Sequence, residues 1–428
     1  MTARDHDTDS GESGRTAPDL DAPWTYATTA ARRLGVPDEI EHRLLYPRQR
    51  QRLSVPFERD DGTLGVCEGY RVRHDGVRGP FVGPHRYADA LTGDDCAGLA
   101  AATTVGAAIA GVPFGGAAGG IAVDPTTLSR DERVRLIRAY AARVDGVGPD
   151  GDVLVPDVGT DERTMARFAD AIADRIDGPP RATVAGKPPA VGGFRDIPRA
   201  SGHSVAHVTQ DVLETDRDRP LSEATIAVAG TGTVGATAAR LLEFWGGTVV
   251  AMCSDRAGLT APADEDGLDA DLAPSYLDRP GALAAYDDGT MTGTENVLER
   301  DADVLVLAAP ATAVTAENAA AIRSDLVVEG AVGGVTPGGQ AALEERGVTV
   351  VPATLATAGT MVAAHLEWVQ SVGRDRLSDA RVTNEFGYAL TDAVADVRDR
   401  RESCDLTWRQ AAYSVGLSRV AAAHEVVR

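Results

Sequence analysis

Apolar and polar positions along this chain fall into segments with different rhythms. Residues 27–45 repeat their apolar positions on a helical period, with Pro37-Asp38 as a helix start. Two short runs, 52–57 and 64–74, read as strands joined by the turn Asp60-Asp61-Gly62. Residues 95–109 and 130–144 return to the helical pattern on either side of a glycine-rich stretch, 111–120. Proline- and arginine-rich loops occupy 179–200, and 201–213 reopens a helix. From Thr225 to about Pro352 apolar runs alternate with helical segments, which is the pattern of a parallel α/β sheet. Residues 361–428 are helical again, and no repeat recurs at a fixed period.

The strongest local signal opens that α/β region. The apolar strand 225–229 runs into Gly230-Thr231-Gly232-Thr233-Val234-Gly235, then into a helical pattern over 236–245 and a second strand over 248–252 ending at Ser254-Asp255. Gly230 permits a tight turn, Gly232 lets the backbone approach a pyrophosphate, and Gly235 lets helix and strand pack closely. The phosphate then sits where free N–H groups and the helix dipole favour an anion. Asp255 is placed to accept hydrogen bonds from a ribose diol. The expected cofactor is NAD or NADP: Asp255 repels a 2′-phosphate, whereas Arg256 beside it accepts one.

Composition narrows the setting. Forty-three per cent hydrophobic and 25% charged residues describe a globular chain. No apolar run approaches the roughly 18 residues of a membrane helix, and the acidic segment 1–22 reads as a disordered tail without a signal peptide. A net charge of −22 repels nucleic-acid phosphates and anionic lipids, so neither is an expected partner. Lys187 is the only lysine among 42 basic residues. Acidity, lysine scarcity and 5% aromatics point to a salt-rich cytoplasm, with a GC-rich genome as a compatible explanation. Four scattered cysteines without a C-x-x-C give no zinc ribbon or disulfide framework, which suits a reducing cytoplasm.

Other short motifs bracket the turn. They are Gly69-Tyr70-Arg71-Val72-Arg73-His74, Arg78-Gly79-Pro80, Pro113-Phe114-Gly115-Gly116, Pro156-Asp157-Val158-Gly159-Thr160, Gly186-Lys187-Pro188, Glu329-Gly330-Ala331 and Glu367-Trp368-Val369-Gln370. In this order they resemble the glutamate/leucine/phenylalanine/valine dehydrogenase family from about residue 24 to 427. The resemblance implies an α/β fold of two domains. Residues 23–200 would form a substrate and oligomerisation domain, 201–360 a Rossmann NAD(P) domain, and 361–428 helices returning to the first. It also implies a homohexamer, an amino acid or 2-oxo acid in the cleft, and oxidative deamination by hydride transfer to a nicotinamide. Asp157 falls on the family's proton-shuttling carboxylate, and Ser201 on its nicotinamide-side hydroxyl.

The family's lysines are missing. Val82, Gly106 and Ala118 stand at their positions, and none can hold a carboxylate or act as a base. Lysine-poor drift would leave arginine there. Asn is also lost at Val332 and Thr357, and Ala364 replaces a serine. Asp157 then either keeps a catalytic role without its cation or caps a helix over 160–169. Arg73 or Arg195 would be a relocated cation, although arginine is no base at neutral pH. His203 and His207, four apart, read as a surface pair more simply than as metal ligands, and no metal is assigned. Three functions follow: a working amino-acid dehydrogenase with rewired contacts, a silent dinucleotide-binding relative that regulates or co-assembles with an active paralogue, or an oxidoreductase with a different, less anionic substrate.

Overall fold

The computed structural model describes residues 22–194, 199–262, 267–277, 289–308 and 314–427. Residues 1–21 of the expected acidic tail, and Arg195, lie outside them, whereas residue 22 already belongs to the first helix.

The N-terminal part contains α1 (Ala22–Leu34), α2 (Asp38–Leu45), β1 (Gln49–Glu58), β2 (Leu64–Arg73), β3 (Phe81–Tyr87), α3 (Gly93–Ile109), β4 (Gly115–Ala122), α4 (Arg130–Ala141), β5 (Asp152–Pro156) and α5 (Glu162–Ile172). Its five strands lie in the order β1-β2-β4-β3-β5. The β1–β2 and β2–β4 pairs are antiparallel, and β3 runs parallel to both β4 and β5. Capping boxes start α3 at Thr92 and α4 at Ser129, so each helix begins where a side chain satisfies its first N–H groups.

From Gly115 onward, the glycine-rich stretch 111–120 read as a separator is a strand, β4. Its glycines answer close approach rather than turning. A Cβ on Gly116 would stand 2.3 Å from Thr104 N, and one on Gly120 would stand 2.0 Å from Arg86 O.

The nucleotide region contains α6 (Ala200–Asp211), β6 (Thr225–Ala229), α7 (Thr233–Phe244), β7 (Thr248–Cys253), β8 (Gly258–Thr260), α8 (Ala273–Leu277), β9 (Thr290–Thr292), α9 (Thr294–Leu298), β10 (Val304–Leu307), β11 (Leu326–Glu329), α10 (Pro337–Glu345), β12 (Thr349–Val351) and α11 (Ala353–Ala356). Seven strands run β12-β11-β10-β6-β7-β8-β9, parallel from β12 to β7. The chain leaves β6 toward β7 and later returns to the other side of β6 as β10. That reversal opens a crevice at the carboxyl ends of β6 and β10.

Three further helices, α12 (Gly359–Gly373), α13 (Asp379–Cys404) and α14 (Trp408–Val426), close the chain. Helix α14 returns to α3 and α1, as the resemblance implies. A Cβ on its Gly416 would stand 2.9 Å from Val105 Cγ1, so the two helices meet closely there. Arg409 of α14 also reaches across to Glu329 at the end of β11, Nη2 to Oε2 2.8 Å, with both side chains buried.

Candidate nucleotide turn and substrate cleft

The turn after β6 is built from backbone. Gly230 has φ +113°, a region that favours glycine, and its N–H donates to Cys253 O at 2.8 Å. A Cβ on Gly235 would lie 1.9 Å from Gly230 O, so this contact admits only glycine. Around Gly232 no atom stands within 4 Å of a built Cβ, which leaves open space where a ligand backbone would pass. No side chain caps α7, so the N-terminal groups around Thr233 and Val234 are left for an anion. At the end of β7, Ser254 Oγ accepts from Arg256 N at 3.1 Å. Asp255 and Arg256 are both more than half exposed, with Nε to Oδ1 3.9 Å. These residues fit a dinucleotide pyrophosphate and ribose.

A cavity of about 240 Å³ lies where this crevice meets the first sheet. The nucleotide side contributes Val234, Ala308, Gly330 and Val332, and the facing side contributes Arg86, Thr103, Gly106 and Asp157. Ser201 on α6 and Thr360 on α12 close one wall, with their hydroxyl oxygens 2.6 Å apart. Of the expected site residues, Asp157, Ser201 and Val234 thus meet at this cleft. Gly230, Gly232, Thr233 and Gly235 form the adjoining turn, and Asp255 stands beyond it at the end of β7.

Asp157 is not stranded. Parallel pairing of β3 with β5 sets His85 opposite Pro156, which brings the next residues, Arg86 and Asp157, together. Arg86 Nε and Nη2 reach Asp157 Oδ2 at 2.7 and 2.6 Å. Nor does Asp157 cap the following helix. Asp161 does so, accepting from Thr164 N at 2.7 Å, and α5 begins at Glu162. Arg86 escaped the sequence reading because its partner lies 71 residues away and becomes adjacent only through strand register.

The three positions where the resemblance puts lysines differ among themselves. Val82 and Ala118 are wholly buried in apolar clusters, Val82 with Phe114 and Val153, and Ala118 with Val72 and Leu99. Gly106 lines the cleft, and a Cβ there would meet only Thr354 O at 3.5 Å, an ordinary contact.

The remaining candidate cations are engaged elsewhere. Lys187 is buried away from the cleft lining, with Nζ 2.5 Å from Glu367 Oε1 and donating to Val184 O at 3.2 Å. Burial pulls the Lys187 ammonium down and pushes the Glu367 carboxyl up, against their mutual attraction. The relocated-cation reading of Arg73 fails. Its Nε donates to Asp152 Oδ2 at 2.8 Å and its Nη1 to Gln49 Oε1 at 2.6 Å. Arg71 grips the same carboxylate at 2.5 Å, forming a buried Arg–Asp–Arg cluster.

His203 packs edge-on against Phe386, and His207 Nε2 lies 3.3 Å from Thr391 Oγ1. Among the described residues no group of three or more His, Cys, Asp or Glu side chains could hold a metal.

Residues 47–174 match the model of the Glu/Leu/Phe/Val dehydrogenase dimerisation domain, and 192–427 match the Glutamate/Leucine/Phenylalanine/Valine dehydrogenase model. The chain belongs to this family. It is 43% identical to the NAD-specific glutamate dehydrogenase A of Halobacterium salinarum, over 97% of this chain and 96% of that one. It is 35% identical to that organism's NADP-specific glutamate dehydrogenase A1, over 92% and 94%. The structure of hetero-hexameric glutamate dehydrogenase from Thermus thermophilus in a Leu-bound form superposes with a TM-score of 0.88 at 34% identity, covering 97% of this chain and 99% of that one.

Proposed function

We propose that this chain is a dinucleotide-binding member of its family that has lost efficient oxidative deamination and serves as a non-catalytic subunit beside an active relative. One observation carries the reading: the described cleft lining holds no ammonium, and its one guanidinium is committed to Asp157. Oxidative deamination needs a cation to hold the α-carboxylate and a group able to accept a proton near Cα. Arg86 is no base at neutral pH, and its Nε and Nη2 already face Asp157.

In this reading Gly230, Gly232, Thr233, Val234 and Gly235 cradle the pyrophosphate of NAD or NADP, Asp255 faces the ribose, and Ser201 stands on the nicotinamide side. The nicotinamide, when bound, supplies hydride chemistry. Asp157 is what remains of the family's proton-handling set. The functional division follows residues 23–200, 201–360 and 361–428. The hetero-hexamer of Thermus thermophilus supports mixed assembly, and a hexamer in a salt-rich cytoplasm is the expected form. Halobacterium relatives of both NAD and NADP type leave both cofactors in play.

The test is turnover at molar salt, followed as NAD(P)H absorbance with glutamate, and in reverse with 2-oxoglutarate plus ammonium. Loss of the preorganised cations and base predicts rates at least about a thousandfold below an active relative, with dinucleotide binding retained in a fluorescence titration. Turnover within about a hundredfold of that relative sinks the reading. A second reading, an oxidoreductase for a less anionic substrate, is favoured by Asp157 and the Ser201–Thr360 pair still lining the cleft. Hydride transfer from an uncharged amine or alcohol would support it.

A further inference from the structure

Behind the cleft lies a second and larger cavity, of about 580 Å³, within the range of small-molecule sites. Its walls come from α1, from α10 of the nucleotide region, and from α13 and α14 with the turn between them. A void of about 10 Å³ separates the two cavities. Val332 and Thr354 line both the void and the cleft, whereas Tyr26, Arg409 and Tyr413 line both the void and the larger cavity. The buried Arg409–Glu329 pair stands in this partition, so the larger cavity is a separate place.

The charges of its lining do not cancel. Arg409 is spent: its Nη2 meets Glu329, its Nε donates to Gln340 Oε1 at 3.0 Å, and its guanidinium lies 4.5 Å from the Tyr26 ring centroid. Arg33 and Arg400 remain. Among the described residues neither forms an ion pair, in contrast to Arg32, which meets Glu41 at 3.5 Å. Arg400 is half-buried, and its Nη1 donates to Ser414 Oγ at 3.2 Å. That contact holds the side chain and leaves its other N–H groups unspent. Glu344 is the one carboxylate of the lining, and Gln340 Nε2 donates to it. Two guanidinium groups against one carboxylate leave a single positive charge, on a chain whose net charge is −22.

Much of the remaining wall is apolar, with Leu34, Ala341, Leu406 and the Tyr413 ring. A bare anion would leave that surface wetted, and a hydrocarbon would leave the guanidinium groups unmatched. We propose that this cavity binds a small monocarboxylate with an apolar body, the acid held by Arg400 with Arg33 and the body against Leu34, Leu406 and Tyr413. A planar guanidinium matches the two oxygens of a carboxylate. One net charge suits a monoanion, whereas a phosphate monoester, nearly doubly charged at pH 7, would exceed it and face Glu344. The site stands apart from the cleft, so it holds whether or not the cleft turns over.

The probe is 4-phenylbutyrate, titrated calorimetrically into the full chain at molar KCl. Its uncharged counterpart 4-phenylbutan-1-ol and inorganic phosphate are the controls. 4-Phenylbutyrate should bind with a dissociation constant below about 1 mM, and at least about tenfold more tightly than either control. Arg400→Gln should weaken it about tenfold and Arg400→Lys by less, with an unchanged melting midpoint reporting an intact fold. Cys404 is exposed and lines the cavity, which gives a local readout. At five times its dissociation constant the probe should slow alkylation of Cys404 by N-ethylmaleimide about sixfold, while Cys67, outside the lining, keeps its rate. No binding, equal affinity for the alcohol or phosphate, or indifference to Arg400→Gln overturns the proposal. So does a Cys404 that the probe fails to protect, or one unreactive in the free protein because another copy of the chain covers this face.

Discussion

The nucleotide turn and the cleft beside it are built from different material. The turn relies on backbone: a left-handed Gly230, a Gly235 with no room for a methyl group, and an uncapped helix start. A site of this kind persists while a few glycines persist. The cleft relies on side chains, and at the three positions where the resemblance puts lysines this chain carries uncharged residues that the fold accommodates. Val82 and Ala118 are absorbed into close-packed apolar clusters, and Gly106 leaves space. Binding and chemistry are therefore separable in this architecture, because one is stored in main-chain geometry and the other in functional groups.

The largest effect expected bears on the claim that no ammonium is free for the cleft. Lys187→Met should lower unfolding free energy by about 3–5 kcal/mol, because it leaves Glu367 buried without its partner. Chemical denaturation measures this, and a negligible change would mean that Lys187 is not tied to the fold. Next, Gly235→Ala forces a methyl group against Gly230 O. It should cost roughly 1–3 kcal/mol, read as weaker NAD binding in a fluorescence titration. Unaltered affinity would break the claim that the turn is held by backbone approach.

A third experiment examines the support beneath the cleft. His85 precedes Arg86 on β3 and lies buried between Tyr87 and Tyr140, with neither ring nitrogen hydrogen-bonded. Burial, reinforced by the Arg71 cation, lowers its pKa from 6.5 to about 3. The unfolded chain thus takes up this proton more readily than the folded one. Its contribution to stability is full above about 6.5 and is lost as pH falls toward 3, at up to about 1.4 kcal/mol per pH unit. His85→Leu should flatten that part of the stability-versus-pH curve and raise stability at neutral pH by about 1 kcal/mol. A curve of unchanged slope would place the acid sensitivity elsewhere.

The smallest effect concerns the ribose. Asp255 and Arg256 are both well exposed, so Asp255→Asn should improve NADP relative to NAD by less than about fivefold. A larger change would mean that this carboxylate is shielded from solvent when dinucleotide binds.

The sequence carried the two parts unequally. Gly230, Gly232 and Gly235 could be assigned roles because their spacing encodes local geometry, and the strand–turn–helix around them is local as well. The N-terminal sheet was harder to read. Its runs 52–57 and 64–74 are β1 and β2, but β3, inside the sheet, and β5, at its edge, are short strands without alternation. The strand β4, GGAAGGIA, has glycines where neighbouring main chains crowd in, and such glycines look like turns on paper. Without β3 and β5 the partnership of Arg86 and Asp157 cannot be read, which is why Asp157 looked stranded and Arg73 looked available. Strand register decided the first, and the reach of Arg73 across the sheet to Asp152 on β5 decided the second.

The burial of Lys187 has a practical corollary. With this side chain 1% exposed, the native chain offers amine-reactive reagents no accessible lysine. Acylation at this position would have to wait for the surrounding helices to open. Its rate, followed by mass spectrometry of a single peptide, would serve as a built-in clock for those openings and for how salt or dinucleotide slows them.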